Sequence, residues 1–224
     1  MRFRLILLAS SVVATTAMAA DAQKASFPVN AKPDTKMSFF ITGFGTSHGG
    51  NFEGLARADQ HCQREAQSVG QGNKVWHAYL STDASDGKPG ENARDRIGHG
   101  PWYNYKGEMI ARDVSDLHSA NNKIGKQTAL TQTGRVVNGA GDTPNMHDIL
   151  TGSKEDGTLA PGLTCKNWTS ETNTDKAQLG HFDRMGGGDA PMSWNSAHVS
   201  RSCTQADLQA TGGDGLIYCF AVSK

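Results

Sequence analysis

Residues 55–68, LARADQHCQREAQS, say more about the fold than any other stretch of the chain. Apolar side chains recur there at steps of three and four: Leu55, Ala58, Cys62, Ala66 and, just beyond, Val69. This spacing predicts a helix from about Leu55 to Ser68 with one buried face. Gly70 follows where a C-terminal cap is expected. The helix therefore directs Cys62 into the core.

Three apolar runs on either side of this helix predict strands. They are rich in aromatic and β-branched residues and cover 37–42 (MSFFIT), 75–81 (VWHAYLS) and 215–222 (GLIYCFAV). A shorter helix is predicted across 92–97, whereas from about Asp113 to Met192 regular periodicity fades and Gly, Asn, Asp, Ser and Thr dominate. Such a stretch is typical of long functional loops or disorder. The pattern as a whole predicts one α+β domain.

The beginning of the chain predicts export. Met1–Arg4 is positively charged, an apolar run follows from Leu5, and Ala17-Met18-Ala19 matches a cleavage pattern. The run is too short to cross a bilayer of about 30 Å, so no stable membrane span is predicted. We assign residues 1–19 to a signal peptide, 20–36 to a flexible leader and 37–224 to the domain, and expect a periplasmic or secreted protein.

Charge and cysteine content narrow the classes of function. The chain has 22 basic and 22 acidic residues, and this balance argues against a nucleic-acid binder, which needs a basic surface. Its four cysteines are Cys62, Cys165, Cys203 and Cys219. An even number after a signal peptide predicts two disulfides, and three pairings are open. The sequence contains no CxxC pair, so a structural zinc site is not predicted.

An ordered set of short motifs resembles bacterial C-type-lectin-like domains related to collagen endostatin. The resemblance covers about Met37 to Val222 and rests on these segments: 39–42 (FFIT), 50–59 (GNFEGLARAD), 76–81 (WHAYLS), 93–97 (ARDRI), 100–104 (GPWYN), 151–153 (TGS), 165–170 (CKNWTS), 193–194 (SW) and 216–220 (LIYCF). It implies a fold with two helices, a small mixed, mainly antiparallel sheet and long irregular loops. It also implies the nested disulfides Cys62–Cys219 and Cys165–Cys203.

The chain departs from the calcium-dependent sugar-binding members of that superfamily. Their loop and strand triplets contain acidic residues that chelate calcium. The nearest triplets here are Thr143-Pro144-Asn145 and Trp194-Asn195-Ser196, and neither contains one. The usual calcium and sugar site is therefore predicted to be absent, and no cofactor is expected, although calcium stays an alternative. A lectin-like fold alone does not establish sugar binding.

The motifs favour binding over catalysis. Eight histidines are scattered without an HExxH pattern, and we find neither GxSxG nor a phosphate loop. Two pairs are candidate metal ligands: His147 with Asp148, and His181 with Asp183. Neither pair has the spacing of a known metal-binding motif. We therefore expect no enzyme.

The expected function is recognition of a glycan or glycoconjugate through the long loops. The first alternative is an adhesion module that binds an envelope or host protein without sugar specificity, and the second is a structural envelope protein with no soluble ligand. The residues proposed for ligand binding are Asn145, Asp148, Asp156, Trp194 and Asn195, whose amide, carboxylate and indole groups suit either partner. Whether Trp168 and Trp194 pack in the core or face a ligand is left open.

Overall fold

A computed structural model describes residues 32–222 of the chain. The predicted signal peptide and most of the predicted leader lie outside these residues. Five helical segments and eight strands occur in the described part. The helices are α1 (Leu55–Ser68), α2 (Ala93–Arg96), α3 (Val114–Leu117), α4 (Cys165–Trp168) and α5 (Gln205–Thr211). The strands are β1 (Phe39–Ile41), β2 (Val75–Ala78), β3 (Trp102–Tyr103), β4 (Met109–Ala111), β5 (Asp148–Leu150), β6 (Gln178–His181), β7 (His198–Val199) and β8 (Gly213–Val222).

The last strand, β8, organises the main sheet. The strand order is β1-β8-β5-β6-β7, and β2 also pairs with β8. The pairs are antiparallel except β5–β8, which is parallel. Strands β3 and β4 form a separate two-stranded sheet. The sheet is thus mixed and mainly antiparallel, as predicted.

Both faces of β8 are buried, because its side chains alternate between two apolar clusters. Ile217 and Cys219 face one cluster together with the buried face of α1, whereas Leu216, Tyr218 and Phe220 face the other. This alternation is the period of two that a strand imposes. A strand covered on both faces reads as a continuous apolar run, which is why residues 215–222 could be recognised in the sequence.

The two disulfides have the nested pairing that the resemblance implies. Cys62 on α1 joins Cys219 on β8 across 157 residues, and Cys165 joins Cys203 across 38 residues. The first bridge ties the principal helix to the central strand. The bridges are consistent with an oxidising compartment and hence with export.

The long helix and strands agree with the sequence predictions, but the number of helices does not. Helix α1 has the predicted bounds. The bounds of β1, α2 and β8 lie within two residues of those predicted, and β2 ends three residues earlier than predicted. The described residues contain five helical segments rather than two, because three of them are single turns of four residues. So short a turn leaves no apolar period to detect. No helix in residues 32–222 is long and apolar enough to cross a membrane.

The stretch predicted to be loops contains α3, β5, α4 and β6. These strands have only three or four residues, which is too short for a clear alternation in sequence. The leader is described from residue 32, and the backbone N–H of Asp34 already donates to Tyr105 O at 2.9 Å.

Candidate metal centre

Strand pairing brings three histidines and one aspartate together at one end of the sheet. Asp148, the first residue of β5, lies directly opposite His181, the last residue of β6. His198, the first residue of β7, pairs with Leu179 on the other side of β6. His147 immediately precedes β5. We call His147, Asp148, His181 and His198 the His/Asp cluster.

The three imidazoles converge on a single carboxylate oxygen. Oδ1 of Asp148 lies 3.3 Å from Nε2 of His147, 3.1 Å from Nε2 of His181 and 3.2 Å from Nε2 of His198. The His147 and His181 rings stack with their centroids 4.1 Å apart. Within the described residues, His147, Asp148 and His181 are the one group of three or more potential ligands whose donor atoms all lie within 4.8 Å of one another.

The other nitrogen of each ring faces a hydrogen-bond acceptor. Nδ1 of His147 lies 3.2 Å from Asp183 Oδ1, Nδ1 of His181 lies 3.1 Å from the carbonyl of Pro191, and Nδ1 of His198 lies 3.1 Å from the carbonyl of Val199. Each of these acceptors favours a proton on Nδ1. A neutral imidazole then presents an unprotonated Nε2, the atom that binds metals. Outer carboxylates and carbonyls orient metal-binding histidines in this way.

Two polar atoms of the cluster lack a hydrogen-bond partner among the described residues. Nε2 of His181 is near Asp148 Oδ1 but outside hydrogen-bond geometry, and Asp148 Oδ2 has no partner either. The side chains of both residues are only 1% exposed. Buried polar atoms of this kind normally have a partner, since leaving one unpaired costs about 1–3 kcal/mol. A cation at Asp148 Oδ1 would provide a partner for the Nε2 lone pair of His181 and would balance the charge of the buried carboxylate.

The charge of the cluster also favours a cation. Asp148 and Asp183 are both buried, and within residues 32–222 the ion pairs recorded for them involve histidines alone. Burial acts to raise the pKa of each carboxyl. The neighbouring histidines, joined at Asp183 by the backbone N–H groups of Ala140 and Met185, more than offset burial, so the pKa of each carboxyl lies below its usual value. Both side chains are therefore anionic near neutral pH, and a divalent cation would balance the two charges.

A proton on His198 is the alternative to a metal ion. The hydrogen bond to Asp148 raises the pKa of His198. Protonated His198 would satisfy one of the three contacts at Oδ1 and leave the Nε2 atoms of His147 and His181 facing the same oxygen. A metal ion bound by His147, His181 and Asp148 would satisfy those two contacts.

The distances suit a transition metal. A tetrahedral ion with bonds of about 2.0–2.1 Å to nitrogen and oxygen holds its ligand atoms about 3.3 Å apart. Nε2 of His147 and of His181 lies 3.3 and 3.1 Å from Asp148 Oδ1, and these three donor atoms are all within 4.8 Å of one another. Nε2 of His198 is 3.2 Å from Oδ1 but lies outside that group. Imidazole and carboxylate ligands suit zinc, copper, nickel, cobalt or iron, whereas calcium and magnesium prefer oxygen ligands throughout.

The residues predicted for ligand binding lie in different places. Asp148 belongs to the His/Asp cluster, and Asn145 accepts a hydrogen bond from the backbone of His147 at 3.3 Å. Asp156 is exposed and accepts from Thr158. Trp194 and Asn195 are buried at 3% and 1% exposure, although both line a cavity of about 300 Å³.

The polar groups of Asn195 are used inside the protein. Its amide nitrogen donates to the Tyr79 hydroxyl and to the carbonyls of Lys154 and Glu155, while its oxygen accepts from Ser193. Trp168 is fully buried and donates to the carbonyl of Ser81 at 2.8 Å. These residues therefore stabilise the fold, and no single glycan-binding face emerges from the five predicted residues.

His198 is the member of the His/Asp cluster that sequence reasoning missed. The pairs His147-Asp148 and His181-x-Asp183 were visible in the sequence, but neither has a recognised metal-binding spacing. His198 lies 50 residues from Asp148 along the chain, and their contact depends on the pairing of β5, β6 and β7. The useful signal was two histidines, each within two residues of an aspartate, in the stretch that lacked periodicity.

No family model matches the chain, and no curated protein matches it.

Proposed function

We propose that this protein binds one divalent transition-metal ion, of the zinc class, at the His/Asp cluster. The observation that carries the proposal is the convergence of three Nε2 atoms on Asp148 Oδ1 while each Nδ1 faces an acceptor. Two buried carboxylates supply the compensating charge. The setting is a disulfide-bonded α+β domain, which we expect to be exported.

Equilibrium dialysis of chelator-treated protein against zinc, followed by metal analysis, tests this proposal. One zinc per chain is expected, and calcium should not compete. Replacing His181, whose side chain is 1% exposed, should abolish stoichiometric binding in His181→Ala. His99→Ala is the matched control, because His99 is exposed and lies outside the cluster. Binding that His181→Ala leaves unchanged would refute the assignment.

Binding should also stabilise the folded protein, because the ligands come together only on folding. A metal held at 100 times its dissociation constant adds about 2.7 kcal/mol to the free energy of unfolding. Zinc should therefore raise the Tm of the unaltered protein and of His99→Ala, and should leave the Tm of a folded His181→Ala protein unchanged.

Glycan recognition stays a prediction from the sequence, as does the expectation that the protein is not an enzyme. A glycan array probed with the metal-loaded and the chelator-treated protein tests glycan recognition. Binding to one glycan class in both states would support a lectin whose site is separate from the metal. A blank array with folded protein in both states would refute glycan recognition.

A further inference from the structure

The His/Asp cluster forms the floor of a surface cavity of about 480 Å³. His147, His181 and His198 line this cavity, and its other walls are Ala140, Asn145, Gly186, Gly187, Gly188 and Thr211. The Asp148 carboxylate is not part of the wall and is only 1% exposed. The three imidazoles therefore face the cavity, and the carboxylate lies behind them.

The glycine segment 186–188 covers the imidazoles without placing side chains over them. A Cβ on Gly186 would lie 2.6 Å from Cε1 of His147, 3.3 Å from Cε1 of His181 and 3.5 Å from Nε2 of His147. A side chain there would thus occupy the space beside the nitrogen that we assign to the metal. Gly186 and Gly188 have φ of 103° and 110°, a conformation that glycine adopts readily. All three glycines are exposed, so the cavity reaches the surface at this segment.

One amide side chain, that of Asn145, lines the same cavity as His147. A Cβ on Gly212 would lie 2.7 Å from Nδ2 of Asn145 and 3.1 Å from Cδ2 of His147, so both groups lie close to Gly212. Asn145 Oδ1 accepts from the backbone N–H of His147, and this hydrogen bond holds the side chain in place. The amide N–H groups can therefore donate to a ligand in the cavity.

From this arrangement we infer that the metal keeps an exchangeable coordination position on the cavity side. The inference rests on the proposed metal site. The ligands of this position are water, hydroxide and small monodentate anions. Asn145 donates a hydrogen bond to them. Asp148 on β5, His181 on β6 and His147 before β5 are the three ligands whose donor atoms all lie within 4.8 Å of one another, which leaves a fourth position for an exchangeable ligand on the cavity side. A zinc site with three protein ligands takes water or substrate in the fourth position and can lower the pKa of bound water to about 7.

Cobalt-substituted protein titrated with azide tests this inference, because the visible spectrum of cobalt(II) reports its coordination number. Millimolar azide should change the spectrum saturably without releasing cobalt on gel filtration. Asn145→Ala should bind the same amount of cobalt but bind azide about twofold to tenfold more weakly, which is the effect of one hydrogen bond. Asn121→Ala, at an exposed asparagine outside the cavity, is the control.

The outcomes separate this inference from the function on which it rests. A spectrum that azide leaves unchanged in stoichiometrically loaded protein would overturn the exchangeable position and leave the metal site standing. An unchanged azide affinity in Asn145→Ala would overturn the role of Asn145. Failure to bind cobalt, zinc, nickel or copper would overturn both proposals.

Discussion

At the scale of single residues, the centre depends on Asp148 Oδ1 and on the acceptors that orient the rings around it. The distances to the three Nε2 atoms differ by only 0.2 Å, from 3.1 to 3.3 Å. One carboxylate oxygen of Asp183 faces Nδ1 of His147, and its second oxygen accepts from the backbone N–H of Ala140 at 2.6 Å. Asp183 is thus fixed by the backbone, and it in turn fixes the His147 ring.

Asp183→Asn should therefore weaken zinc binding without touching a metal ligand. The asparagine keeps the shape of the side chain but loses the charge that holds the proton on Nδ1 of His147. Loss of such an outer partner typically costs 10–100-fold in metal affinity. Competition with a chromophoric chelator measures the affinity, and Asp156→Asn, at an exposed aspartate, is the control. Equal affinities in the two variants would contradict the role given to Asp183.

At the scale of elements, α4 is an unusual turn. Cys165, Lys166, Asn167 and Trp168 all have positive φ, from 45° to 64°. A left-handed turn of non-glycine residues costs roughly 1–2 kcal/mol per residue. Its surroundings hold it in place, since Cys165 is in a disulfide, Trp168 is buried, and the Asn167 oxygen accepts from the backbone N–H of Asp83 at 2.7 Å.

Lys166 is the exposed member of this turn, and Lys166→Gly should stabilise the protein. Glycine removes the Cβ clash, which is only partly offset by the roughly 0.5–1 kcal/mol of extra backbone freedom in the unfolded chain. We expect a gain of roughly 0.5–1 kcal/mol in the free energy of unfolding, measured by urea denaturation. Lys176→Gly is the control, because Lys176 is also exposed but has no positive φ, and it should not be stabilised. If Lys166→Gly lowers the free energy of unfolding as much as Lys176→Gly does, the turn is not strained.

The elements that could be predicted are those long enough to show a period. Helix α1 has 14 residues and a clear apolar face, and β8 has ten residues buried on both sides. The strands of the site, β5, β6 and β7, have two to four residues. Their pairing depends on contacts between distant segments, which no local pattern encodes. The fold class was therefore accessible from the sequence, whereas the metal centre needed the sheet register.

At the scale of the whole molecule, the disulfides tie the sheet to the elements around it. The Cys62–Cys219 bridge holds α1 against β8, and both cysteines are fully buried. The Cys165–Cys203 bridge links α4 to the segment that precedes α5. Helix α5 leads directly into β8, and its last residue, Thr211, lines the cavity over the metal centre.

Removing the longer bridge should destabilise the protein more than removing the shorter one. Loop-closure entropy gives about 5 kcal/mol for the bridge that spans 157 residues and about 4 kcal/mol for the one that spans 38. We expect Cys62→Ala/Cys219→Ala to unfold at lower denaturant than Cys165→Ala/Cys203→Ala, with both below the unaltered protein. The reverse order would mean that residual structure in the unfolded chain or local packing outweighs loop closure.

The most direct test of the central claim is an anomalous difference map recorded at the zinc absorption edge from crystals of the zinc-loaded protein. We expect one peak per chain, about 2.0–2.2 Å from Nε2 of His147 and His181 and from Oδ1 of Asp148. The Asp183 carboxylate should remain bonded to Nδ1 of His147. A map without a peak among these three atoms, or with its principal peak elsewhere on the chain, would contradict the proposed site.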